Sequence, residues 1–138
     1  MIYERVLMHK QQRQRRGTAM METAVTLPLL AVLVLGSIEA ANAVFIKQSL
    51  TIAAYEAGKL ASRPGGTSTE AVNRSQQILD VRGLTGYSVT VSPTVTSATP
   101  RGTQILVTVT CPGDSAALGP LRVYAGKTLS KQVRMVRL

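Results

Sequence analysis

The chain carries one histidine, one cysteine and seven acidic residues, and their positions decide what chemistry is open to it. His9 lies in a polar N-terminal stretch without apolar periodicity, so its imidazole has no packed site in which to act as acid or base. Cys111 stands alone, which excludes an intramolecular disulfide and any multi-cysteine zinc centre. Glu70, Asp80 and Asp114 are not spaced to pair carboxylates for acid–base work. The residues therefore predict no enzyme, no cofactor and no metal. Glu22 and Glu39 are different, because each interrupts an apolar stretch. A carboxylate near a bilayer is costly unless it is paired, so Glu22 reads either as a group awaiting a cationic partner or as one solvated at headgroup level. For Glu39 an intramembrane packing or assembly role and a plain interfacial position both stand.

The element that positions these carboxylates is a single apolar segment. Residues 1–17 are Gln-rich and basic and read as a cytoplasmic leader lacking fixed structure. Residues 23–46 hold one charged residue, Glu39, and are dense in Leu, Val and Ala, enough to cross a bilayer that needs about 20 apolar residues. Arg5, Lys10, Arg13, Arg15 and Arg16 precede the span against Glu4 alone, which places the N-terminus in the cytoplasm and the rest outside. This leader accounts for +4 of the net charge of +9. The remaining charge is scattered, and Tyr3, Phe45, Tyr55, Tyr87 and Tyr124 are too dispersed to stack bases, so nucleic acid is not an expected partner.

Helical spacing continues beyond the span through Leu50, Ala53, Ala54, Ala57, Leu60 and Ala61, predicting one helix over residues 18–62. At about 1.5 Å per residue it would be about 68 Å long, roughly twice the hydrocarbon thickness, so its outer half must pack on protein. Arg63-Pro64-Gly65-Gly66 ends it. Thr67 and Glu70 have capping-box spacing, and Ala71, Val72, Ser75, Ile78, Leu79 and Arg82 trace one face of a second helix up to Gly83. The period then changes to two. Tyr87, Val89, Val91, Pro93 and Val95 predict a strand, and Ile105, Val107, Val109 and Cys111 give the apolar face of its partner, with Cys111 read as a small buried hydrophobe. Residues 129–138 read as a last strand. The expected fold class is α+β: a leader (1–17), a transmembrane and stalk helix (18–62), and a small extracytoplasmic head (63–138) of one helix packed on a short antiparallel sheet.

Basic residues, a glycine, a glutamate five places later and then an apolar run form a specific set: Arg15-Arg16-Gly17-Thr18-Ala19-Met20-Met21-Glu22, followed by Leu27-Pro28-Leu29-Leu30. This segment resembles the start of TadE-like pseudopilins of tight-adherence pilus systems. Gly36-Ser37-Ile38-Glu39, Val107-Thr108-Val109-Thr110-Cys111-Pro112 and Gly126-Lys127-Thr128-Leu129 extend the resemblance. It implies cleavage after Gly17 by a prepilin peptidase, with Arg15, Arg16 and Thr18 flanking the site. It also implies a mature chain whose fifth residue, Glu22, sets register by meeting the new α-amino group of a neighbouring subunit. Partners would be the peptidase, other pilin or pseudopilin subunits met through the N-terminal helix, the tight-adherence assembly machinery and the lipid bilayer. The location would be a bacterial inner membrane, with incorporation into an extracellular pilus as a further stage. A competing reading takes Ala41-Asn42-Ala43 as a signal-peptidase site that releases a soluble binding or structural module at Val44.

Overall fold

The computed structural model describes the backbone of residues 2–115 and 122–138, and side chains from residue 17 onward within those ranges. In chain order the elements are helix α1 (Ile2–Ser62), helix α2 (Ser68–Val81), strands β1 (Ser88–Ser92) and β2 (Gln104–Pro112), a 3₁₀ turn (Gly113–Ser115), and strand β3 (Thr128–Val136). The expected α+β class is the one observed. Helix α1 begins at Ile2 and not at Thr18. The leader's Gln, Arg, Lys, Met and Leu all favour helix, and the lone Gly17 costs only about 1 kcal/mol, so an unpatterned stretch is still helical.

Two compact units divide the chain, Met1–Ser37 and Ile38–Leu138. Within the first, Val25, Leu27, Leu29, Leu30, Val32, Leu33 and Val34 are all exposed, Val25 to 72% and Leu30 to 60%. Successive helical residues differ by about 100°, so this set is apolar on every side, the mark of a helix that meets lipid or other helices all round. Its hydroxyls turn back on the helix: Thr23 Oγ1 donates to Ala19 O at 2.8 Å, Thr26 Oγ1 to Glu22 O at 2.9 Å, and Ser37 Oγ to Leu33 O at 2.8 Å. Such bonding hides polar hydrogens from hydrocarbon. Pro28 lies inside the helix and gives no N–H to Ala24, a loss that membrane helices tolerate.

In the second unit α1 becomes one-sided. Ala43, Ile46, Leu50, Ala53, Ala54, Ala57 and Ala61 form a buried stripe, joined in one core by Ala71 and Leu79 of α2, Ile105, Val107, Val109 and Cys111 of β2, and Leu129 of β3. Each large aliphatic side chain buried here contributes about 1.5–3 kcal/mol. Small residues let the helix approach closely: a Cβ on Gly58 would lie 3.1 Å from Met135 Sδ.

The sheet is antiparallel in the order β1-β2-β3, with Val109 opposite both Val89 and Lys131. Strand β2 alternates buried and half-buried residues from Ile105 to Cys111, as its period of two requires. Strand β1 is shorter than the alternation over residues 87–96, because Pro93 has no N–H for the ladder. Val95 is nevertheless buried. Its N–H donates to Ser68 Oγ at 2.7 Å and its carbonyl accepts from Ser68 N at 2.9 Å, so the segment after β1 bonds to the start of α2. Thr67 caps that helix by accepting from Glu70 N at 3.3 Å, while the Glu70 carboxylate pairs with Arg63 at 3.1 Å and leaves the capping box half made.

Candidate functional site

The residues singled out by sequence fall into two groups, one in each unit. Gly17, Thr18 and Glu22 are exposed on α1. Thr18 and Glu22 stand one turn apart and so share a face, which presents the carboxylate beside the position where a new N-terminus at Thr18 would begin. The side chains of Arg15 and Arg16 lie outside the described residues.

Glu39 has another setting. Its side chain is fully buried, 0% exposed, and each carboxylate oxygen takes one backbone hydrogen: Arg122 N donates to Oε1 at 2.8 Å and Val123 N to Oε2 at 2.9 Å. Two successive N–H groups converge on one anion because Arg122 has φ +47°, a left-handed conformation that turns adjacent amides to the same side. One turn further along α1, Asn42 Nδ2 donates to Ser115 O at 3.2 Å. Glu39 and Asn42 thus grip the chain on both sides of residues 116–121. Arg122 also pairs through its guanidinium with Asp114 at 3.6 Å, both side chains more than half exposed.

At the other end of the head, Arg137 is 3% exposed. Its Nη1 donates to Ala61 O at 2.6 Å and Gly66 O at 2.9 Å, and its Nη2 to Thr96 O at 3.2 Å. Placed on the Ala61 carbonyl, the guanidinium satisfies an acceptor that the end of α1 leaves open and complements the helix dipole. Leu138 N donates to Ser62 O at 2.9 Å, which fastens the C-terminus at the same point. Between these ends, Arg82 Nη1 donates to Ser49 Oγ at 2.9 Å and its guanidinium lies 5.8 Å from the Phe45 ring.

The sequence carries no signal that marks Arg122, Val123, Ser115 or Arg137 as partners. Three of them act through backbone atoms that any residue supplies, and Arg137 bonds only to carbonyls. Cys111 is buried, as its place on the apolar face predicts. Tyr87 donates its hydroxyl to Asp80 Oδ1, and that carboxylate is the main reason its phenol is pushed up to about 12, with burial and the charge of Asp80 adding to it. Among the described residues, no group of three or more His, Cys, Asp or Glu side chains is placed to hold a metal ion.

These features define a class: a small α+β head built onto the C-terminal part of one helix, Gly17–Ser62, that is long and apolar enough to cross a membrane. The family of TadE-like proteins matches residues 17–59, from the glycine through the stalk, and it is the family that the N-terminal residues resemble. No curated protein and no solved structure matches the chain.

Proposed function

We propose that this protein is a precursor of a TadE-like minor pseudopilin, cut by a prepilin peptidase after Gly17 and used to assemble a tight-adherence pilus or a related secretion apparatus. The match over residues 17–59, which opens at the glycine of the Arg15-Arg16-Gly17 junction, carries the reading. The basic leader stays in the cytoplasm, the apolar part of α1 holds the subunit in the inner membrane, and the head faces outward. Assembly is the mechanism. The membrane stores the subunit until α1 exchanges lipid for the helices of other pilin subunits, and the charge on Glu22 makes that exchange selective for a neighbour that offers a cationic N-terminus.

The burial of Ala43 weighs against release by signal peptidase after that residue. Cutting there would divide α1 inside the core stripe and remove Glu39 from Arg122 and Val123. Mutation separates processing from assembly. Gly17→Leu is expected to leave the precursor at full mass in cells that hold the peptidase. Glu22→Ala is expected to be cut at the native rate yet to enter pili or assembly complexes poorly. Normal cutting of the first variant would overturn the peptidase assignment, and normal incorporation of the second would overturn the register role.

A further inference from the structure

The grip of α1 on the chain around Arg122 has a consequence for the membrane. About 20 residues are needed to cross the hydrocarbon, and counted from Thr23, just beyond the Glu22 charge, they end close to Asn42. On the membrane-anchored reading, the turn bearing Glu39 and Asn42 falls at the outer edge of the apolar layer. Helical Cα–Cβ bonds tilt toward the helix N-terminus, so the Glu39 carboxylate sits on the lipid side of its own Cα. Arg122 N and Val123 N are bound directly to that carboxylate, which fixes their height along α1. A turn follows, closed by Ala125 N donating to Arg122 O at 3.1 Å and Lys127 N to Tyr124 O at 3.2 Å.

What this turn displays suits a headgroup layer. Arg122 and Lys127 are exposed cations, Val123 is an apolar side chain left 51% exposed, and Tyr124 is a half-buried aromatic with Lys127 Nζ 5.8 Å from its ring centre. Cations reach phosphate, an exposed aliphatic group enters the acyl boundary, and tyrosine favours the interface because it has an apolar body and a polar tip. Asp114 is the acidic group facing Arg122, and at 3.6 Å with both partners exposed it holds the guanidinium only weakly.

We propose that Arg122, Val123, Tyr124 and Lys127 form a membrane-resting ledge that binds anionic phospholipid headgroups in the leaflet beneath the head. The proposal rests on the membrane-anchored reading, and its test keeps the two apart. The full chain, carrying Cys111→Ala and either Val123→Cys or Ser97→Cys, is labelled with a fluorophore and placed in nanodiscs that contain lipids spin-labelled near the headgroup. Ser97 adjoins Thr96, whose carbonyl meets Arg137 at the Ala61 end of α1, about 30 Å from the Glu39 turn. Failure of the chain to co-elute with nanodiscs would sink the anchor itself. Given co-elution, the ledge predicts strong quenching at position 123, background quenching at 97, and greater quenching at 123 in phosphatidylglycerol than in phosphatidylcholine discs. It also predicts loss of that lipid difference in Arg122→Gln/Lys127→Gln. Equal quenching at 97 and 123, or a lipid difference that survives the double substitution, would overturn the proposal.

Discussion

Replacing Glu39 tests how the head is tied to the helix. In Glu39→Gln one amide oxygen still accepts, but the amide nitrogen faces a backbone N–H, so one of the two donors, Arg122 N or Val123 N, loses its acceptor. A buried donor left unpaired costs about 1–3 kcal/mol. Glu39→Ala removes both acceptors, each at a hydrogen bond to a charged group and so worth about 1.5–3 kcal/mol, and the cost should approach twice that of the amide. Global unfolding is not the expected result, because the apolar stripe from Ala43 to Ala61 is untouched. The loss should appear as local opening of the turn after Arg122. Amide hydrogen exchange on the full chain in nanodiscs reads it directly, since every ~1.4 kcal/mol of lost local stability speeds exchange about tenfold. We expect the Arg122 and Val123 amides to exchange roughly ten- to a hundredfold faster in Glu39→Gln and faster again in Glu39→Ala, with the β2 amides unchanged. Native protection at Arg122 and Val123 in the alanine variant would refute the claim that Glu39 holds this segment.

Two further outcomes follow from other contacts. Arg137→Met should lower head stability by about 2–5 kcal/mol, because the Ala61, Gly66 and Thr96 carbonyls lose a buried charged donor; chemical denaturation followed by fluorescence at a label on the head would measure it, and an unchanged midpoint would contradict the assigned role. The Tyr87 phenol is raised above its ordinary value of 10.0, so the neutral form is the one the fold favours. Its stabilising contribution should be complete below about pH 10 and lost as pH rises through about 12, and Asp80→Asn should return the phenolate absorbance transition toward 10.

The helices were legible in the sequence because their determinants are local. The three- and four-residue spacing from Leu50 to Ala61 marks the buried face of α1, and the same spacing marks Ala71, Ser75 and Leu79 on α2. Alternation predicted that Tyr87, Val89, Val91 and Val95 face the core, but not that Pro93 is exposed or where the ladder stops, since Pro93 has no N–H for it. The leader misled for a related reason: its Gln, Arg and Lys favour helix by propensity, and propensity leaves no periodic trace. Glu39 was visible as an anomaly, a charge in an apolar run, but its partners were hidden. They are main-chain amides remote in sequence, gathered by the positive φ of Arg122. Charge identifies a residue that needs a partner, and only the fold says that the need is met from within the head. For Glu22 the same need is not answered by a buried site, because the residue stays exposed on its helix.

That contrast makes the mature N-terminus the most direct measure of the account. The protein should be isolated from host membranes and its intact mass and N-terminal sequence determined. A chain that begins at Thr18 and places Glu22 fifth is the expected product. A start at Val44 would identify a secreted module, and an intact N-terminus at Met1 or Ile2 would identify a plain anchor; either would contradict the pseudopilin account.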